Sequence, residues 1–230
     1  MSGSPKIIVI IPALNEEHAI GKVIKEIPDL VSEIIVADNN SKDRTSEVAK
    51  DHGAKVVFQP KPGYGNACLK AMSVVAEQPV KPEIIVFLDG DHSDFPEELP
   101  LLIKPIVEDG MDMVIGSRNL GESEPGSMTP QQIFGNWLAT FLLKLIYGYR
   151  FTDLGPFRAI KYASLLKLKM EDRNYGWTVE MQIKAAKLNM KTCEVPVSYR
   201  NRIGQSKVSG TLKGSVLAGY KIIKTLFTYI

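Results

Sequence analysis

Asp89-Gly90-Asp91 sets two carboxylates two positions apart, directly after the apolar run Ile84-Ile85-Val86-Phe87-Leu88. A run of that length without polar alternation predicts a strand covered on both faces, as in a parallel α/β sheet. Ligands of open α/β sheets collect at the carboxyl ends of the strands. Acidic side chains there are hard oxygen ligands for Mg²⁺ or Mn²⁺, and such an ion would in turn hold a diphosphate. The plain alternative is an Asp-Gly turn with a solvated second aspartate, because acid-x-acid triplets are common. Placement at a strand end is what favours the metal.

Two more strand ends carry related chemistry. A first strand over Lys6–Ile11 runs into Pro12-Ala13-Leu14-Asn15-Glu16, and a second over Glu33–Ala37 runs into Asp38-Asn39-Asn40-Ser41. Glu16 and Asp38 can accept hydrogen bonds from a base N–H or from ribose hydroxyls, leaving phosphates to metal and basic groups. Taken singly, Asp38 to Asn40 is equally a helix-capping turn. Gly63-x-Gly65 precedes a helix but follows a third strand, and it lacks the third glycine of a dinucleotide fingerprint.

These residues need a scaffold, and the hydrophobic pattern supplies one. Asn15 can cap a helix with apolar Ile20, Val23, Ile24 and Ile27, with Glu16 and Glu17 suiting its positive end. Further helices are expected at Ser41–Lys50, Asn66–Ala76 and from Pro96 through Val107. Strands are expected at Lys55–Gln59 and Met113–Gly116. Alternation of this kind predicts a doubly wound, mostly parallel sheet with right-handed crossovers. After Arg118 the pattern changes to a polar loop from Gly121 to Pro130, expected to be mobile. Helices at Gln131–Tyr147 and Trp177–Leu188 follow, then a strand at Glu194–Tyr199, a basic loop from Arg200 to Lys207, and a last helix from Leu212. No linker separates the two parts, so residues 1–230 are expected to form one domain. Its 1–118 half looks like a nucleotide platform and its 119–230 half like an acceptor side.

Composition narrows the partners. The chain has 230 residues, 44% hydrophobic and 23% charged, which suits one well-buried domain. A net charge of +2 gives no case for nucleic-acid binding, so any basic site must be local. Cys68 and Cys193 stand alone, so neither zinc nor disulfides are indicated, and both are expected as buried thiols. Ile7–Ile11 is too short and too soon followed by charge for a signal peptide, and a cytoplasmic protein is expected.

The ordered motifs also resemble a family. Ile10-Ile11-Pro12-Ala13-Leu14-Asn15-Glu16, Ala37-Asp38-Asn39-Asn40-Ser41-x-Asp43-x-Thr45, Asp89-Gly90-Asp91 and Gly116-Ser117-Arg118 stand in order. Thr152-Asp153-Leu154-Gly155-Pro156-Phe157-Arg158 and Tyr199-Arg200-x-Arg202-x-Gly204-x-Ser206-Lys207 follow. The set is similar to family 2 glycosyltransferases of GT-A fold, within them the dolichyl- or polyprenyl-phosphate mannosyl- and glucosyltransferases. The resemblance implies a metal-dependent, inverting transfer from a UDP- or GDP-sugar to a polyprenyl phosphate. It places Pro12, Ala13, Asn15, Glu16 and Asp38 around the base and ribose, with Asn40, Gly65 and Gly90 on the same donor side. Asp89 would face the ribose or diphosphate and share with Asp91 a Mg²⁺ or Mn²⁺ ion. Ser93 stands where relatives often carry Gln, and His92 is read as a surface residue. Arg118, Arg200, Arg202 and Lys207 would bind phosphates, which guanidinium groups meet two oxygens at a time. A solvated basic loop is the alternative for Arg200 to Lys207. A hydroxyl acceptor would need a base, and Asp153 or Glu180 is the carboxylate to test. Other readings kept open are a nucleotidyltransferase and a silent nucleotide-sugar or lipid-binding scaffold.

Two stretches bear on membranes. Ile133 to Tyr147 is strongly apolar with Trp137 and Tyr147 near its ends, and Val216 to Ile230 sets Leu217, Tyr220, Ile223 and Phe227 near one face. Such helices can lie in a membrane interface or pack on the sheet as ordinary amphipathic helices.

Overall fold

The structure is a computed structural model, and it describes residues 4–204 and 212–229. Seven strands form one sheet: β1 (Ile7–Ala13), β2 (Glu33–Asp38), β3 (Lys55–Phe58), β4 (Ile84–Phe87), β5 (Met113–Ser117), β6 (Arg158–Lys161) and β7 (Thr192–Pro196). Their order across the sheet is β3-β2-β1-β4-β6-β5-β7. Every pairing is parallel except those of β6, which runs antiparallel to both β4 and β5. The mostly parallel α/β sheet expected from the alternation is present, with one insertion. Neither β6 nor the helix after it was foreseen.

Helices cover both faces: α1 (Ile20–Glu26), α2 (Thr45–Asp51), α3 (Tyr64–Glu77), α4 (Leu99–Glu108), α5 (Pro130–Tyr147), α6 (Tyr162–Leu168), α7 (Trp177–Lys187) and α8 (Leu212–Thr228). Period-two geometry splits β1 between two cores. Ile8 and Ile10 pack with α3, α5 and α7, while Ile7, Val9 and Ile11 pack with α1, α2 and α4. Burial on both faces is why these strands read as unbroken apolar runs.

Several boundaries differ for local reasons. Asn15 does not cap α1, which starts at Ile20. Its backbone takes a positive φ of 55° and its Oδ1 accepts from the Lys42 backbone N–H at 2.7 Å. The side chain is thereby committed to joining the first two strand ends. The 121–130 segment lies against residues 199–201, with Glu124 N–H donating to Tyr199 C=O at 2.8 Å and Tyr199 N–H to Glu122 C=O at 2.8 Å. α5 starts with a capping box between Thr129 and Gln132, and Gly148 ends it in the left-handed conformation. Cys68 is a buried free thiol, whereas Cys193 is only half-buried, contrary to expectation. Among the described residues no helix is long and apolar enough to cross a membrane.

Candidate active site

Register brings the motifs together. Ala13 of β1 pairs with Asp38 of β2, and Ile10 pairs with Phe87 of β4, so all three carboxyl ends open on one edge. A cleft of about 520 Å³ opens there. Pro12, Ala13 and Glu16 line it from the first strand end, Asp89, Gly90 and Asp91 from the fourth, and Arg118 and Arg202 from beyond.

The carboxylates are held by specific partners. Asp89 Oδ1 accepts from the Tyr64 hydroxyl at 3.1 Å. Burial first, and then the charge of Asp91, pushes Asp89 up to about 7. Asp91 Oδ1 accepts from the Ser93 backbone N–H at 3.0 Å and from its hydroxyl at 2.5 Å. Asp91 Oδ2 pairs with Arg202 Nη1 at 2.6 Å. Ser93 is fully buried, so it orients Asp91 from behind. Asp94 adds a third acidic group that sequence reasoning missed. It is 1% exposed, and both its carboxylate oxygens lack a hydrogen-bond partner. Burial, then Asp89 and Asp91, raise its pKa well above the ordinary carboxylate range.

A divalent ion fits this chemistry. Stacked acidic groups that resist ionisation together are what a cation relieves. Among the described residues no three acidic, His or Cys groups converge as a ready-made cage. The fit is therefore to an ion held by Asp89 and Asp91 and completed by substrate phosphates, the usual manner of Mg²⁺.

Arg118 is the best-held cation of the cleft. Its Nε and Nη2 reach the two oxygens of Asp153 at 2.7 and 2.6 Å, and its backbone N–H adds a third bond at 2.9 Å. Its guanidinium also lies 5.0 Å from the centre of the Tyr199 ring. Burial works against the charge on Asp153, but Arg118 outweighs it and holds the carboxyl below its usual range. Asp153 is 1% exposed and does not line the cleft. Its geometry is that of a positioning residue, not of a base facing an acceptor.

Other expected site residues stand behind the wall. Glu180 is fully buried and accepts from the backbone N–H groups of Glu171 and Asp172 at 2.9 and 2.7 Å, from Lys184 at 2.6 Å and from the Tyr229 hydroxyl at 2.8 Å. It anchors the 171–176 loop and is out of place as a base. Gly65 also serves that loop. A Cβ there would meet the Asp172 carbonyl oxygen at 2.0 Å, so only glycine admits the approach. The loop then presents Asn174 and Tyr175 to the cleft, where neither was expected.

Arg200, expected at a phosphate, is engaged by other partners. Its Nε donates to the His92 carbonyl at 2.8 Å, its Nη2 pairs with Glu26 at 2.5 Å, and it covers the Phe95 ring at 4.3 Å. His92 Nε2 lies 2.9 Å from the same Glu26, so His92 is a part-buried tie and not the surface residue expected. Together they brace the turn that carries Asp91. Asp38 turns inward to the Ser41 N–H at 2.8 Å and to the Ser46 hydroxyl. Asn40 accepts from Lys42 at 3.1 Å. Neither lines the cleft, nor does Asn15, and it is Asn39 that reaches it. Asn39 Oδ1 accepts from the Gly63 N–H at 2.7 Å and its Nδ2 donates to the Lys61 carbonyl at 2.7 Å, fastening the 59–63 loop. Lys207 lies outside the described residues.

The family model "Glycosyl transferase family 2" matches residues 8–173. The chain belongs to that family. An uncharacterized glycosyltransferase of Mycobacterium tuberculosis is 35% identical over 215 residues, 92% of this chain and 94% of that protein. A dolichyl-phosphate hexose transferase of Haloferax volcanii is 31% identical over 221 residues, 94% of this chain and 92% of that one. Among solved structures, glucosyl-3-phosphoglycerate synthase of M. tuberculosis, in complex with Mn²⁺, UDP and glucosyl-3-phosphoglycerate, superposes with a TM-score of 0.74. It is 24% identical, and the match covers 98% of this chain and 80% of that one. The fold is GT-A, and the protein is a family 2 glycosyltransferase.

Proposed function

We propose that this family 2 enzyme moves a hexose from a UDP- or GDP-sugar to a polyprenyl phosphate, with inversion, at the cytoplasmic face of a membrane. One observation carries the choice of acceptor: the two carboxylates expected as a base, Asp153 and Glu180, are spent on other partners, and Asp89 and Asp91 are those that would hold the metal. An acceptor hydroxyl must give up its proton, whereas a phosphate monoester is already ionised. Its oxygen attacks the anomeric carbon as the bond to the diphosphate breaks, and no group of the protein has to take a proton. The 31% identity to a dolichyl-phosphate hexose transferase supports the same class.

Division of labour follows from the cleft. Asp89 and Asp91 would hold Mg²⁺ or Mn²⁺, which when bound supplies a Lewis acid for the leaving diphosphate. Arg118 and Arg202 face the same space and stabilise phosphate charge by preorganised hydrogen bonding. Asn39, Glu16 and the Pro12-Ala13 backbone surround the donor's base and ribose.

Calorimetry with UDP, UDP-glucose, GDP and GDP-mannose, in Mn²⁺ and then EDTA, tests the donor half. One nucleotide should bind in Mn²⁺ and be lost in EDTA or in Asp91→Ala. Transfer of labelled sugar to undecaprenyl phosphate in detergent tests the acceptor half. Transfer to 3-phosphoglycerate instead would overturn the lipid assignment, and no nucleotide binding at all would overturn the site.

A further inference from the structure

α5 has two faces with opposite duties. Gln131, Gln132, Gly135 and Asn136 line the cleft. The other face exposes Ile133, Phe134, Trp137, Phe141 and Leu145, with Trp137 58% and Leu145 69% exposed. Positions 133, 137, 141 and 145 repeat every four residues and form one stripe. Trp137 stacks on Phe141 with centroids 5.8 Å apart and planes 14° apart, and Phe134 stands 5.8 Å away on its other side. Three half-exposed aromatic rings packed on one another at the surface are an interaction surface, not a core.

α8 repeats the arrangement beside it. Gly219 and Ile222 line the cleft, while Tyr220, Ile223 and Phe227 are exposed. The Tyr147 hydroxyl of α5 donates to the Leu226 carbonyl of α8 at 2.6 Å, joining the helices side by side. Along the two helices themselves the charges have one sign: no Asp or Glu occurs between Glu124 and Asp153 or after Glu194, whereas Lys144, Arg150 and Lys224 do. Lys221 is instead paired with Asp172 at 2.8 Å. Lys144 sits beside Leu145, and Lys224 lies between Ile223 and Phe227. Across a two-fold axis a second copy would set these lysines against one another. An anionic bilayer matches both the rings and the lysines, with Trp and Tyr at headgroup depth and lysine stems reaching past them.

We infer that the exposed face of α5 and α8 docks on an anionic lipid surface, which places the mouth of the cleft at the headgroup layer. This deepens the lipid-phosphate reading above and takes its purpose from it. The contact itself is testable without donor or acceptor. The chain has two tryptophans, and Trp177 is buried, so a fluorescence change on adding vesicles reports Trp137.

Vesicles of equal phosphatidylglycerol and phosphatidylcholine should shift the emission to the blue and co-sediment the protein, and pure phosphatidylcholine should do so weakly. Phe134→Ser with Phe141→Ser should weaken partitioning by about tenfold or more, with the melting temperature unchanged because both rings are exposed. Lys144→Glu with Lys224→Glu should abolish the preference for anionic lipid. The serine variant should keep wild-type transfer to a water-soluble, short-chain prenyl phosphate and lose it to polyprenyl phosphate in vesicles. No vesicle binding by the wild type, binding unchanged in the serine variant, or a dimer that the serine variant dissolves would each overturn the docking surface. Vesicle binding without transfer to any prenyl phosphate would leave docking standing and remove the acceptor assignment instead.

Discussion

Arg118 and Asp153 meet as a two-pronged ion pair, 2.7 and 2.6 Å, with Asp153 entirely inside the protein and the guanidinium at the cleft. The carboxylate thus fixes where the cation points. Asp153→Asn keeps the volume and removes the charge. Breaking a buried pair costs about 3–5 kcal/mol, so a clear loss of melting temperature is expected. The surviving folded enzyme should lose roughly a hundredfold in kcat, as when one preorganised donor is lost. A base would instead show a lost limb of the pH–rate profile, and that limb should be intact.

Metal binding should depend on pH through Asp89. Burial and Asp91 hold it at about 7, against about 4 in an unfolded chain. Between these values the folded, metal-free protein keeps a proton that the unfolded chain has released. Stability therefore falls as pH rises from about 4 to 7 and is level above. Mn²⁺ affinity should rise over the upper part of that window, because the proton must leave first. Melting temperatures in EDTA and in Mn²⁺ at about pH 5.5, 6.5 and 7.5 measure both trends. Asp89→Asn should flatten them.

Glu180→Gln separates anchoring from chemistry. The amide keeps the shape but loses charge-assisted bonds to two backbone N–H groups and Lys184. A loss of about 2–3 kcal/mol in urea unfolding is expected. The kcat at saturating donor should stay near wild type, with KM for the donor raised because Asn174 and Tyr175 ride on the anchored loop.

Gly65→Ala attacks the same loop from the opposite side. The new methyl would lie 2.0 Å from a backbone oxygen that cannot rotate away. Displacement of the loop should cost about 1–3 kcal/mol in stability. Nucleotide affinity by calorimetry should fall with it.

What the sequence revealed follows from how far each residue's partner lies along the chain. The β1 and β4 runs and the acidic triplet are legible because strand, end and ligand are consecutive. Arg200 reads as a phosphate ligand because its type and neighbours suit phosphate, yet its carboxylate partner Glu26 is 174 residues away. Glu180 is a similar case. A carboxylate near a helix start looks the same whether it faces a cleft or captures two N–H groups of a loop. β6 carries only four residues, Arg158-Ala159-Ile160-Lys161, and is a strand because both its edges are paired. Asp94 carries no local signal, since its meaning comes from packing against Asp89 and Asp91.

The reversed strand β6 also dictates an order of assembly during synthesis. β4 and β5 are separated in the sheet by a segment made some forty residues after β5. In a chain that has reached only residue 118, β4 can pair with β1, but its other edge lacks the partner that β6 supplies in the finished sheet. Open edges of this kind invite pairing with other chains. Residues 1–118 expressed alone should therefore aggregate, and the ribosome must deliver Arg158–Lys161 before either strand end of the cleft is secured. The edge that carries Asp89 and Asp91 is thus finished by a strand from the later half of the chain.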